Sequence, residues 1–182
     1  MASRYDDELW ELVPDDPGAP PRVLAEFVQG LGRVERALDV GCGDGRLSAA
    51  LDAGELTVSD VSRVALERAR ARLPEAGVVE LDPDSPFPLG DSAFDLVLCA
   101  ETIEHVRDVQ LLLSEIRRVL RPGGRLALTT PAAPPLVRPP DPLSPHLRML
   151  TRRSLRRLLE ELGFELDSLR RRSGTLLALA RR

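Results

Sequence analysis

Short apolar runs and helix-forming segments alternate along the chain. The apolar runs are typical of strands buried on both faces, and they lie at residues 36–40, 56–60, 77–81, 94–100 and 125–130. Segments that favour helices lie before or between them, at residues 19–32, 45–54, 62–73 and 106–120. Strands that alternate with helices of about ten to fifteen residues predict a parallel sheet with helices on both faces. We therefore expect a doubly wound α/β domain.

The chain after residue 150 predicts one more helix and a hairpin. Residues 151–163 have helical spacing, and two short strand-like runs follow at 164–169 and 175–180. The tight-turn sequence RRRSG at 170–174 joins these runs, which suits a hairpin at the edge of the sheet.

A proline-rich loop is predicted at residues 131–146. Seven prolines occur among residues 131–145, and so many prolines exclude a helix or a central strand. In doubly wound sheets, ligands bind beyond the carboxyl ends of the strands. We expect this active-site loop to form one wall of a ligand pocket; a plain connector is the alternative.

Composition indicates one folded domain, residues 1–182. Of the 182 residues, 43% are hydrophobic and 30% are charged. No apolar run approaches the roughly 20 residues of a membrane span, and the first residues lack the apolar core of a secretory signal. A cytoplasmic location without a membrane partner is expected. Cys42 and Cys99 lie in apolar surroundings without metal-site spacing, which predicts buried thiols.

Charge argues against nucleic acid as a partner. The net charge is −4, whereas domains that bind nucleic acid usually show a broad basic surface. Residues 148–182 are locally basic, and we interpret their arginines as a solvated face; a surface for an anionic partner is the alternative.

A glycine-rich turn follows the first predicted strand and is expected to open the helix at 45–54. Gly41, Gly43 and Gly45 would let backbone N–H groups approach a ligand closely. A dinucleotide and S-adenosylmethionine are the two candidate ligands. The spacing is G-x-G-x-G, which differs from the dinucleotide fingerprint, and the Asp39 carboxylate suits a ligand with an ammonium group. Both observations favour S-adenosylmethionine.

Asp60 closes the second predicted strand. A carboxylate in this place can accept hydrogen bonds from both ribose hydroxyls of an adenosine-bearing ligand. The alternative role, capping the next helix, can be filled by Ser62.

Four motifs in order resemble those of class I S-adenosylmethionine-dependent methyltransferases. They are LDVGCGDGRLSAAL at 38–51, VSDVSRVALERAR at 58–70, VVELDPDSPFPLGDSAFDLVLCAETIEHV at 78–106 and LSEIRRVLRPGGRLALTTP at 113–131. The resemblance extends over residues 36–182 and is closest to small-molecule methyltransferases that have EHV after the fourth strand and RPGG before the fifth. It implies a Rossmann-like, mostly parallel seven-stranded sheet in the order 3-2-1-4-5-7-6 with an antiparallel last strand. It also implies S-adenosylmethionine as cofactor and a small-molecule methyl acceptor, in a monomer or homodimer.

The resemblance implies cofactor-binding roles by position. Around the methionyl part would lie Asp39, Gly41, Cys42 and Gly43. Ribose and adenine would contact Asp60 and Val61, and the adenine would also contact Asp82 and Pro83. Because the segment LDPDSPF is one residue shorter than the usual pattern, Asp84 is an alternative to Asp82. Beneath the cofactor and facing the substrate would lie Cys99, Ala100 and Glu101.

The implied reaction is in-line transfer of a sulfonium methyl group to an oxygen, nitrogen or carbon nucleophile. The protein mainly holds the reactants in near-attack geometry, and a general base can remove a proton. His105 is the first candidate catalytic residue because the unperturbed pKa of histidine lies near neutrality. His146, at the end of the proline-rich loop, is the second. The alternative for His105 is a structural role, such as capping the following helix.

Other functions are compatible with these residues. The favoured interpretation assigns no metal ligand, but Glu101, Glu104, His105 and His146 also resemble the metal-binding set of small-RNA 3′-terminal 2′-O-methyltransferases. A catalytically inactive cofactor-binding module and a nicotinamide-dependent dehydrogenase are the remaining alternatives.

Residues 1–18 precede the first helix of the predicted sheet. By analogy with the family, this segment would fold over the cofactor as a lid. Tyr5 and Trp10 would then shape the entrance to the site.

Overall fold

A seven-stranded sheet organises the computed structural model, which describes residues 2–133 and 146–182. Its strands are β1 (Val34–Val40), β2 (Ala53–Asp60), β3 (Gly77–Glu80), β4 (Phe94–Ala100), β5 (Leu120–Pro131), β6 (Glu165–Arg172) and β7 (Thr175–Arg181). The helices are α1 (Ala2–Leu12), α2 (Arg22–Gln29), α3 (Arg63–Arg72), α4 (Val109–Val119) and α5 (Arg152–Glu161).

The strand order is β3-β2-β1-β4-β5-β7-β6, as predicted. Strands β1 to β5 pair in parallel, whereas β7 is antiparallel to both β5 and β6. The carboxyl ends of β1, β2 and β4 therefore meet at one edge of the sheet, where the candidate site residues are grouped.

Alternate residues of the strands pack on opposite faces of the sheet. Leu38 and Val97 face a core that also contains residues of α4 and α5. Ala37 and Leu98 face a second core, which includes Val28 of α2. This alternation is the expected result of strands with helices on both faces.

The prediction of a helix at 45–54 is wrong. Only a 3-10 turn, Ser48–Ala50, forms there. Gly45 has a φ of +76°, and β2 already begins at Ala53, so too few residues remain between them for a regular α-helix. The glycine-rich turn is therefore followed by a short 3-10 turn and not by a long helix.

Other features also differ from the sequence prediction. β5 begins at Leu120, so the RPGG sequence lies within the strand, where the register against β4 shifts. The turn between the last two strands is Ser173–Gly174 and not 170–174, because Arg170, Arg171 and Arg172 already pair with β7. Another difference is α1, which lies in a segment for which no element was predicted.

Candidate active site

The glycine-rich turn is held by hydrogen bonds to the end of β2. The N–H groups of Gly41 and Cys42 both donate to the carbonyl of Ser59. Gly41 and Gly43 have φ angles of +77° and +56°, which favour glycine. At Gly41 a side chain is also excluded by space, since a Cβ would lie 2.4 Å from Oγ1 of Thr102.

Asp39 is a buried carboxylate at the carboxyl end of β1. Its Oδ2 accepts a hydrogen bond of 2.6 Å from the Ser48 hydroxyl. Its Oδ1 is buried and meets no hydrogen-bond donor among residues 2–133 and 146–182. Burial raises the pKa of Asp39 to about 7, and the Ser48 hydrogen bond only partly opposes this effect. A cationic group beside Oδ1 would compensate the buried charge, so the site fits the ammonium group of an amino-acid ligand.

Asp60 connects the glycine-rich turn to the start of α3. One carboxylate oxygen accepts from the N–H of Gly43 at 2.9 Å, and the other accepts from the N–H of Ser62 at 2.9 Å. Burial raises the pKa of Asp60, while these backbone hydrogen bonds act in the opposite direction. The Ser62 hydroxyl accepts from the N–H of Ala65, which confirms Ser62 as the cap of α3.

The two aspartates after β3 have different surroundings. Asp84 accepts hydrogen bonds from the N–H groups of Arg107 and Asp108, at 3.1 and 2.6 Å, and so holds the segment before α4. Asp82 is exposed and accepts from the N–H of Asp84 and the hydroxyl of Ser85. Both oxygens of Asp84 thus serve the protein's own backbone, whereas Asp82 is accessible to a ligand.

The end of β4 changes direction at Glu101, which has a φ of +52°. Such a value is strained for a residue with a side chain and often occurs at functional sites. The Thr129 hydroxyl donates to Glu101 Oε1 at 2.9 Å, and burial raises the pKa of Glu101. Cys99 is fully buried in the core, with no exposed surface on its side chain or its backbone. Cys42 is also buried, as predicted for both thiols.

His105 and His146 come together, although they are distant in sequence. Their ring centroids are 4.9 Å apart in an edge-to-face arrangement. Ligand atoms of these histidines and of Glu104 all lie within 4.8 Å of one another. Residues 134–145 of the proline-rich loop lie outside the described residues, so its predicted wall role is a proposal.

Helix α1 packs over the glycine-rich turn. The family resemblance led us to expect this segment over the cofactor, but the helix and its contacts with the turn were not predicted. Trp10 occupies the space beside Gly43, where a Cβ would lie 2.6 Å from its ring. Asp7 accepts from the Ser62 hydroxyl at 2.6 Å and from the N–H of Val64. Asp6 is close enough to interact electrostatically with Asp60 and with His105. The only sequence signal for these contacts is the segment DDELWEL, which contains two adjacent aspartates and one tryptophan.

Asp44 holds the glycine-rich turn against α3, a role that was not predicted from the sequence. Its side chain is 3% exposed and is paired with Arg46 and Arg72. Arg72 donates to both the carbonyl and the carboxylate of Asp44, which fixes the turn against α3.

Comparison with known proteins assigns the family. A methyltransferase-domain family model matches residues 38–128, half of the chain. The chain is 32% identical to a ubiquinone biosynthesis O-methyltransferase of Vibrio atlanticus over 71% of its length and 58% of that protein. It is 35% identical to a probable S-adenosylmethionine-dependent methyltransferase of Mycolicibacterium smegmatis, over 71% of its length and 52% of that protein. The chain thus spans about half the length of these curated relatives.

Solved structures share the fold. A methyltransferase-like protein of Bacillus halodurans has a TM-score of 0.75 at 20% identity, with 88% of this chain and 99% of that chain covered.

No helix in the described ranges is both long and apolar enough to cross a membrane. With four motifs, the predicted strand order and the matching family model, the chain belongs to the S-adenosylmethionine-dependent methyltransferases.

Proposed function

We propose that this protein transfers the methyl group of S-adenosylmethionine to an oxygen, nitrogen or carbon atom of a small-molecule acceptor. The central observation is the buried Asp39 carboxylate, whose Oδ1 meets no donor within the described structure. S-adenosylmethionine offers an ammonium group for this oxygen and a methyl group on a good sulfonium leaving group. The protein then contributes mainly binding and orientation.

The proposed cofactor contacts follow the edge of the sheet. Asp39, with the backbone of 41–43, would hold the methionyl part, and Asp60 with Val61 would hold ribose and adenine. Asp82 and Pro83 would contact the adenine, and the engagement of Asp84 with backbone N–H groups supports Asp82 for this role.

The proposed acceptor contacts lie beside β4. Ala100 and Glu101 would face the substrate, and His105 or His146 would remove its proton. The short distance between the two rings supports a shared role at one place in the site.

A small-molecule acceptor is favoured over RNA. The net charge of −4 provides no broad electrostatic attraction for phosphates. The relative from Vibrio atlanticus is named for ubiquinone biosynthesis, which also supports a small molecule. The cluster of Glu104, His105 and His146 is the one observation that favours the metal-dependent 3′-terminal RNA methyltransferase.

Calorimetry and a methyl-transfer assay test the proposal. We expect S-adenosylmethionine and S-adenosylhomocysteine to bind, and NAD to give no binding heat. Label from methyl-labelled cofactor should then appear in members of a panel of small phenols, amines and hydroxy acids, and not in a short single-stranded RNA. Binding without transfer to any acceptor would support the inactive module, and failure to bind either adenosyl ligand would overturn the proposed activity.

Helix α1 is proposed to be the lid, within the segment 1–18. Its contact between Trp10 and Gly43 supports a position over the cofactor. We expect deletion of residues 1–13 to weaken S-adenosylhomocysteine binding and to lower turnover. Since Trp10 is the single tryptophan, its fluorescence should also change when the ligand binds the full chain. Unchanged affinity and turnover after the deletion would refute the lid.

A further inference from the structure

Glu104, His105 and His146 form a compact group of metal-ligand side chains beside the proposed acceptor site. One carboxylate oxygen and one nitrogen of each imidazole all lie within 4.8 Å of one another. Donor atoms around a first-row divalent ion lie about 2.0–2.2 Å from it, so pairs of them are typically about 3–4 Å apart. Small side-chain rotations would therefore bring all three residues into contact with one ion.

Hydrogen bonds to backbone groups hold His146 next to Glu104 and His105. The N–H of Leu147 donates to the carbonyl of Glu104 at 2.8 Å, which places His146 next to the turn after β4. The Arg148 guanidinium donates to the carbonyls of Ile103, Val106 and Arg107. The proximity of the two histidines is therefore built by the fold and does not depend on their own ring contact.

One carboxylate oxygen of Glu104 is buried without a hydrogen bond among the described residues. The residue is 1% exposed, and its Oε2 accepts a hydrogen bond of 2.9 Å from the Thr130 hydroxyl. Its Oε1 is buried and has no hydrogen-bond donor in the described part of the chain. A buried carboxylate oxygen in this state is costly unless a proton or a cation compensates it. This observation is independent of the distances within the group.

We propose that Glu104, His105 and His146 bind one divalent transition-metal ion. Two imidazoles and one carboxylate favour ions such as Zn²⁺, Co²⁺, Fe²⁺ or Mn²⁺ over Mg²⁺ and Ca²⁺, which prefer oxygen ligands. Three protein ligands leave open coordination positions, as in catalytic metal sites. These positions would bind an oxygen atom of the methyl acceptor, a role that rests on the proposed function. With the ion bound, the metal would ease loss of the acceptor's proton by lowering its pKa, and this effect would replace direct proton removal by His105 or His146.

Titration of the metal-free full chain with Zn²⁺ and with Co²⁺ tests the site. We expect one ion per chain by calorimetry, and visible Co²⁺ absorption bands that Zn²⁺ abolishes. His146→Ala and Glu104→Gln should each weaken binding about tenfold or more. Glu75→Gln removes an exposed carboxylate outside the group and should leave the affinity unchanged. Circular dichroism and S-adenosylhomocysteine binding verify that each variant is folded.

Several outcomes would overturn the metal site. They are absence of binding to the unmodified chain, an affinity in His146→Ala and Glu104→Gln equal to that of the unmodified chain, and tighter binding of Mg²⁺ than of Zn²⁺. A strong thiolate charge-transfer band in the Co²⁺ spectrum would assign the ion to a cysteine instead. Because S-adenosylhomocysteine is titrated separately, failure of the metal site and failure of the proposed methyl transfer give different results.

Discussion

Replacing Asp39 with asparagine tests the free-energy cost of burying a charged carboxylate at this position. Burial raises the pKa of Asp39 from 3.8 to about 7. Between these values the folded protein keeps a proton that the unfolded chain has lost, so the contribution of Asp39 to stability falls as pH rises through this window. Between about pH 5 and pH 8 the linkage relation gives a loss of about 2.5 kcal/mol from this group.

The variant should not show this loss. Asparagine retains an oxygen for the Ser48 hydroxyl and has no charge to bury. The cost of an unpaired amide nitrogen at this place is about 1–3 kcal/mol at most and does not depend on pH. We therefore expect the unfolding free energy of Asp39→Asn to gain about 2.5 kcal/mol relative to the unmodified protein between pH 5 and pH 8.

Urea unfolding without ligand at both pH values measures this double difference. Carboxyl groups that do not interact with Asp39 titrate alike in both proteins and cancel in the comparison. Asp60 is the exception, because its charge contributes to the raised pKa of Asp39, although less than burial does. An equal stability difference at pH 5 and pH 8 would refute the assigned burial cost. Calorimetry of S-adenosylhomocysteine in buffers of different ionisation enthalpy gives a second measure. At about pH 6.5 the unmodified protein should release a proton on binding, because the ligand's ammonium favours the charged carboxylate, and Asp39→Asn should not.

Two further predictions concern the glycine-rich turn. Gly41→Ala should lower the unfolding free energy by about 2 kcal/mol or more, since its φ of +77° disfavours a side chain and the new Cβ would lie 2.4 Å from Thr102 Oγ1. Arg72→Ala should cost about 1–2 kcal/mol and weaken cofactor binding, because Asp44 would keep only Arg46 as its partner. Urea unfolding and S-adenosylhomocysteine calorimetry measure both effects.

Each of these two substitutions has a control substitution of the same type. Gly90 has no neighbouring atom within 4 Å of a built Cβ, so Gly90→Ala should change stability by less than about 0.5 kcal/mol. Arg70 is exposed on the same helix as Arg72, and Arg70→Ala should leave ligand affinity unchanged. A similar effect of the test and control variants would contradict the assigned contacts.

Local patterns predicted the sheet because its strands are buried on both faces. The β4 run at 94–100 is continuously apolar apart from Asp95, and its predicted bounds agree with the structure. The strand order, by contrast, came from the family resemblance, since local periodicity does not determine which strands become neighbours. The predicted helix at 45–54 was wrong because composition does not reveal how few residues the strand register leaves for it.

The missed parts of the site depend on contacts between distant segments. Trp10 meets Gly43 only after α1 has folded over the glycine-rich turn. The family resemblance placed Trp10 at the entrance to the site, but the pattern of residues 2–12 indicates neither the helix nor its contact with Gly43. Asp84 and Arg148 both act by accepting from or donating to backbone groups of 103–108. Backbone groups are the same in every residue, so the sequence carries no mark of these partners.

The pairing of β1 with β4 joins two halves of the chain that are far apart in sequence. The proposed cofactor contacts up to Pro83 lie on the first half, and the histidines lie on the second. A ligand that contacts both halves therefore binds only when β1 and β4 are paired. Its binding energy then opposes unfolding of the whole sheet, by about 2.7 kcal/mol at a hundredfold excess over the dissociation constant. Thermal stability would thus rise with the concentration of the ligand, and chains without ligand would be the first to unfold.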